Sequence, residues 1–139
     1  DAWLFGLIEA LKQQQAISSL LLVSDHGENI FEGSCTKSGH GHHTEFDYRV
    51  ASLWWGSAEF RQAYPDQVAW LQQRQQALLM TSQTFETMSD LAQIRYPSQK
   101  VAQSFASAAF QPGQRLLSSG QDFDLTPRDQ QCRAFPLLH

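Results

Sequence analysis

Leu4, Leu7, Ile8 and Leu11 recur at helical spacing, so the chain is expected to open with an amphipathic helix that gives way to polar residues at Lys12 and Gln13 to Gln15. After Ser18 and Ser19 the period vanishes. Leu20, Leu21, Leu22 and Val23 are apolar at every position, the pattern of a central strand covered on both faces. A helix followed by a buried strand predicts an α/β domain.

From Asp25 to Phe46 no period holds, and Gly, Ser, Thr and His dominate, so this stretch reads as a long loop of the kind that is usually functional or disordered. Tyr48 to Gly56 is β-branched and aromatic enough for a second strand, closed by Gly56 and Ser57. Pro65 suits the first turn of a helix whose apolar stripe, Val68, Leu71 and Leu78, runs to about Met80. A further helix is expected from Ser82 as N-cap, with Phe85, Met88 and Leu91 facing the core; Trp70 and Met88 read as core packing. Pro97 closes that region. Beyond Ser98 the signal thins to a short strand at Gln114 to Ser119 and a turn leading to another extended piece at Gly120 to Leu125. The glutamine clusters at 13–15 and 72–76 read as solvated helix faces.

At 139 residues and 42% apolar, the chain can bury one core, which predicts a single domain piece over residues 1–139. Ten basic against 14 acidic residues give a net charge of -4, and the basic residues are scattered singly, so nucleic acid is not an expected partner. The longest purely apolar run, Leu20 to Val23, is far too short to span a bilayer, and no signal-peptide pattern opens the chain; any membrane link is expected outside these residues. Opening at Asp1, already inside a helical pattern, the sequence is expected to be a piece of a longer protein. Cys35 and Cys132 could form a lone disulfide or remain two thiols; their separation fits no zinc-ribbon or redox spacing.

The candidate chemistry sits at the end of the first strand. Consecutive strand residues point to opposite faces, so Asp25 and His26 can share a ligand only if the chain leaves the strand there. Gly27, free to take a positive φ, is expected to allow that bend, and the carboxyl end of a strand is where open α/β sheets build sites. A carboxylate and a neutral imidazole suit Zn²⁺, with Mn²⁺ next. A zinc needs at least one more ligand, and the reservoir is the stretch Gly39 to His43, where His40, His42 and His43 crowd a glycine-rich loop. Glu28 and Glu32 could orient the ligands from behind or be exposed loop acids.

These residues resemble a known family. Ser24 to Glu28 ("SDHGE") after an apolar strand, Glu32, "HG" at His40 and Gly41, and "RV" at Arg49 and Val50 are similar to the C-terminal half of the periplasmic catalytic domain of bacterial phosphoethanolamine transferases, in the sulfatase branch of the alkaline phosphatase superfamily. Thr81 to Ile94 resembles the helix after the second strand, and Asp122 to Asp124 a late motif. The match is specific at Asp25 to Glu28 and loose elsewhere. It implies the C-terminal portion of an alkaline-phosphatase-like fold, with a central mostly parallel or mixed sheet covered by helices. It also implies Asp25 and His26 as zinc ligands and His40 as the histidine that binds substrate phosphate or acts as general acid, with His42 competing and Glu28 in support.

The chain departs from the family at Ala51, often proline there, and at Asn29, usually serine. The larger departure is that the nucleophilic threonine lies far upstream in the family, whereas residues 1–24 contain no threonine. In the whole enzyme that the resemblance implies, a threonine takes phosphoethanolamine from a phosphatidylethanolamine-type lipid and passes it to a lipid or glycan acceptor through a threonine-linked intermediate, at the periplasmic face of the inner membrane. The chain by itself is then expected to be inactive and soluble, and to self-associate through unpaired sheet edges. A sulfatase or phosphodiesterase of the same superfamily, or a non-catalytic module without a nucleophile, are the competing readings.

Overall fold

A computed structural model describes residues 1–126, 129, 131 and 132. Along the chain run helix α1 (Ala2–Gln13), strand β1 (Ser19–Val23), helix α2 (Glu45–Tyr48), strand β2 (Ser52–Gly56), and helices α3 (Ala58–Ala63), α4 (Pro65–Gln73) and α5 (Thr84–Leu91), with short 3-10 turns at Thr81–Gln83 and Val101–Gln103. These form two compact units: Asp1–Leu22 with Leu53–Gln114, and Val23–Ser52 with Arg115 onward.

In the first unit, Leu4, Leu7, Ile8 and Leu11 of α1 are half-buried while Trp3 and Phe5 are exposed, as the helical period predicts. β1 pairs with β2 in a two-stranded sheet. The pairing is antiparallel, with Ser57 N–H donating to Ser18 O at 2.9 Å and, at the other end, Ser24 N–H donating to Ala51 O at 3.0 Å. A mostly parallel sheet is thus not what the described residues contain. Nor are both faces of β1 closed over, since Leu22 stays 42% exposed. The second strand is shorter than its β-rich composition predicts, because Tyr48 ends α2 instead.

Ser57 terminates β2 and starts α3: its Oγ accepts the Phe60 amide at 3.1 Å and donates to Ala16 O at 2.9 Å. That cap drives Phe60 inward, where it joins Leu71, Leu91, Phe105 and Ala106 in the core, with Leu21, Trp54, Tyr64, Val68, Leu79 and Phe110 packed around them. Burying a side chain like Phe60 contributes about 1.5–3 kcal/mol. α4 begins at Pro65 as expected but stops at Gln73, short of Met80. Arg74 explains the stop. Its guanidinium turns back to donate to Phe105 O and Ser107 O at 2.8 and 2.7 Å and stacks over the Phe110 ring. Trp70 is half-buried, and Leu78 is left exposed.

α5 departs most from its reading. Phe85 and Met88 face solvent, and of the expected stripe only Leu91 is buried. The buried face is polar instead. Asp90 accepts from Ser104 Oγ at 2.8 Å and pairs with Arg95 at 3.0 Å, while Thr87 Oγ1 accepts the Phe105 amide at 3.2 Å. These bonds dock the following segment, so α5 turns its hydrogen-bonding face to the chain that must be held. Ser82 does not cap it; the Gln83 side chain accepts the Met80 amide one turn earlier, at 2.8 Å.

In the second unit, Cys35 and Cys132 form a disulfide. The segments at 114–119 and 120–125 meet in a tight antiparallel turn: Leu116 bridges Asp122, Leu117 and Phe123 amides donate to Gln121 O and Arg115 O, and Gly120 at φ +81° makes the turn. No helix among the described residues is long and apolar enough to cross a membrane.

Candidate metal centre

At the end of β1, Ser24 Oγ donates to His26 O at 2.7 Å and Asp25 Oδ1 accepts the His26 amide at 3.1 Å, so side chains close the turn that the strand abandons. Gly27 is the pivot for a reason other than positive φ, which it does not adopt. Its amide donates to Asp47 O at 2.9 Å, and a Cβ there would lie 1.8 Å from Phe46 O and 2.7 Å from Arg49 O. Only a residue without a side chain lets α2 press this closely on the strand end.

The chain then runs through residues 28–43 and back. Asn29 and Gly39 exchange backbone hydrogen bonds in both directions at 2.9 Å, and Gly39 and Gly41 take φ of +80° and +84° on either side of His40. This folds His40 onto the strand end. Its Nδ1 lies 2.9 Å from Glu28 Oε1, and its ring is 4.0 Å from the His26 ring, centroid to centroid. His26, Glu28 and His40 each present a donor atom within 4.8 Å of the others.

His26 Nδ1 donates to Gly27 O at 3.0 Å, which leaves the lone pair on Nε2. Asp25 Oδ2 is 3.8 Å from that Nε2, on a carboxylate 88% exposed. Tetrahedral zinc ligands with bonds of about 2.0–2.2 Å lie roughly 3.3–3.5 Å apart, so a small rotation of the Asp25 side chain completes a ligand pair. Imidazole nitrogen with carboxylate oxygen is a donor set that suits zinc. Glu28 Oε1, 3.8 Å from His26 Nδ1 and in contact with His40, touches both rings at once. The His26 pKa is raised above its ordinary 6.5, first by the hydrogen bond to Gly27 O and then by the charges of Asp25, Glu28 and Asp47, with burial opposing.

Of the residues read from the sequence, His26, Glu28 and His40 are thus brought together, with Asp25 beside them. His42 points elsewhere, its Nε2 3.0 Å from Ser38 O, and His43 Nδ1 pairs with the Tyr48 hydroxyl at 2.8 Å. Glu32 lies outside the group, its carbonyl accepting the Cys35 amide. What the residue reading missed is the buried support. Asn29, 1% exposed, donates from Nδ2 to Gly39 O at 3.0 Å and to Asp47 Oδ1 at 2.6 Å, and accepts from Thr44 Oγ1 at 2.6 Å. Asp47 Oδ2 in turn accepts the Thr44 amide at 3.0 Å. The spacing Thr44-x-x-Asp47 is a capping-box pattern, and it was the available signal for α2.

No protein-family model and no curated protein sequence matches this chain. Two solved structures share its fold. Both are of the C-terminal periplasmic domain of EcEptC from Escherichia coli, at 22% sequence identity, with TM-scores of 0.71 and, for the domain in complex with Zn, 0.74. The likeness covers 87% and 91% of this chain but 36% and 37% of those structures, so the chain spans just over a third of their length. The fold of this chain is thus that of one part of this periplasmic domain.

Proposed function

We propose that this chain is the C-terminal, metal-ligating part of the catalytic domain of a zinc-dependent phosphoethanolamine transferase with an alkaline-phosphatase-like fold, working at the periplasmic face of the inner membrane. One observation carries the reading: the Asp25-His26-Gly27-Glu28 strand end with His40 folded against it. A fold shared with a periplasmic domain solved in complex with Zn supports it, as does a disulfide, which persists in oxidising compartments.

Asp25 and His26 would hold the zinc, His26 through the Nε2 that its Gly27 contact leaves unprotonated. A bound zinc supplies a Lewis acid that lowers the pKa of a nucleophilic hydroxyl and offsets charge on phosphoryl oxygens. Glu28 accepts from His40 Nδ1 and places its charge beside His26. His40, with Nδ1 donating to Glu28, has Nε2 to turn to a phosphoryl oxygen or a leaving group, where the imidazolium form serves as hydrogen-bond donor. The nucleophile, by the family pattern a threonine, is sought outside these 139 residues, since none precedes the strand end. The donor is then a phosphatidylethanolamine-type lipid and the acceptor a lipid or glycan hydroxyl or phosphate. The 139 residues alone are predicted to turn over nothing.

The test is the metal content of the purified chain by elemental mass spectrometry, for the wild type and for Asp25→Ala combined with His26→Ala. Near-stoichiometric zinc that the double variant loses is the expected result. Zinc retained by the variant, or none taken up by the wild type, would overturn the assignment of these ligands.

A further inference from the structure

Glu28 and His40 are 12 residues apart and both exposed, and their own hydrogen bond is a surface contact of little holding power. The residues next to them are placed very differently. Asn29 follows Glu28 and is buried, and Gly39, which precedes His40, is the residue to which Asn29 is tied by both backbone bonds and by its side chain. We propose that Asn29 is the positioning residue of the metal centre, which sets the Glu28–His40 and His26–His40 geometry without touching metal or substrate. The inference rests on the proposed reading of this strand end as a metal centre, with Asp25 and His26 as ligands and Glu28 and His40 set against them.

The chemistry of the amide explains why this residue type is needed. Both its hydrogens are used, one toward Gly39 O and one toward Asp47 Oδ1, and its oxygen accepts the Thr44 hydroxyl. Aspartate at this position would have nothing to donate and would face the Asp47 carboxylate. Serine is too short to reach Gly39 O, Asp47 and Thr44 together. Three segments therefore converge on one side chain: the strand-end turn, the returning loop and the start of α2. A shift of the Asn29–Gly39 pair moves Glu28 and His40 apart, because each is the immediate neighbour of a tied residue.

The experiment uses the isotopically labelled 139-residue chain without metal, read by the nuclear Overhauser effect between the His26 and His40 rings, and then a Co²⁺ titration followed by its visible absorption. Asn29→Ala and Asn29→Asp are expected to lose the ring contact and to weaken Co²⁺ binding roughly 10–100-fold, at a temperature where circular dichroism shows the fold retained. Asn29→Ala that keeps both the ring contact and the wild-type Co²⁺ affinity overturns the proposal. Should that variant not fold, Thr44→Val against Thr44→Ser decides: loss of the ring contact in the first and its restoration in the second support positioning through Asn29, and equal behaviour of the two overturns it. If the wild type shows the ring contact, Asn29→Ala loses it and neither binds Co²⁺, the positioning role stands while the metal reading falls.

Discussion

Both units bury hydrogen-bonded polar residues, but among the described residues only the first adds an apolar core to them. The first buries Phe60, Leu71, Leu91, Phe105 and Ala106 against one another, an apolar core of ordinary kind. The second buries Asn29, Thr44, Asp47 and the two half-cystines, so its interior is a set of hydrogen bonds and one covalent link. Apolar contact is non-directional and tolerates small shifts, whereas an amide held by three partners has one geometry. The unit that carries the candidate site therefore depends on directional bonds and its disulfide, whereas the other sets an apolar core beside the polar bonds that dock α5.

The sharpest way to break this contrast is in the apolar core. Phe60→Ala is expected to cost about 3–5 kcal/mol in urea unfolding, through lost transfer energy and the cavity left behind. In the fraction still folded, metal content should match the wild type. A parallel loss of metal would show that the contrast is false.

Next in size is the covalent link. Cys132→Ser, or reduction, is expected to cost about 2–5 kcal/mol, because the bond closes a loop between residues 97 apart in sequence. Hydrogen exchange should then accelerate at the Asn29 and Gly39 amides before the Tyr64 and Val68 amides of the first unit. Uniform acceleration would count against separate means of support.

The smallest effect lies in the titration of His26. Its raised pKa means that the imidazolium is favoured in the fold, so its own contribution to stability is fully present below its ordinary pKa of 6.5 and is lost as pH rises through the higher value. Metal needs the neutral ring, so zinc affinity should rise with pH through the His26 midpoint, which in the metal-free chain lies above 6.5. In Glu28→Gln that midpoint should move down, since one of the charges raising it is gone. A midpoint unmoved by the substitution would remove Glu28 from the electrostatics of the site.

The same contrast decides what could be read from residues alone. Where apolar patterning governs, by period at Leu4 to Leu11 or as an unbroken run at Leu20 to Val23, the helix and the strand stand where expected. Where polar bonds govern, periodicity misleads: α5 turns Thr87 and Asp90 inward because the segment at Ser104 and Phe105 needs their oxygens, and Phe85 and Met88 are left outside. The strand-end motif was legible because its residue types are chemically particular. Its geometry was not, since Gly27 serves by lacking a Cβ under Phe46 O and Asn29 by partners that lie 10 to 18 residues away.

The cysteine link also has a consequence for how the molecule is made. Cys35 emerges from the ribosome 97 residues before its partner, and at about 5–20 residues per second the second thiol follows roughly 5–20 s later. Throughout that interval the nascent chain carries a lone thiol, open to mixed disulfides until its partner is made. Closure of this loop therefore has to wait until residue 132 has been made, so the second unit is finished later than the order of its first residues suggests.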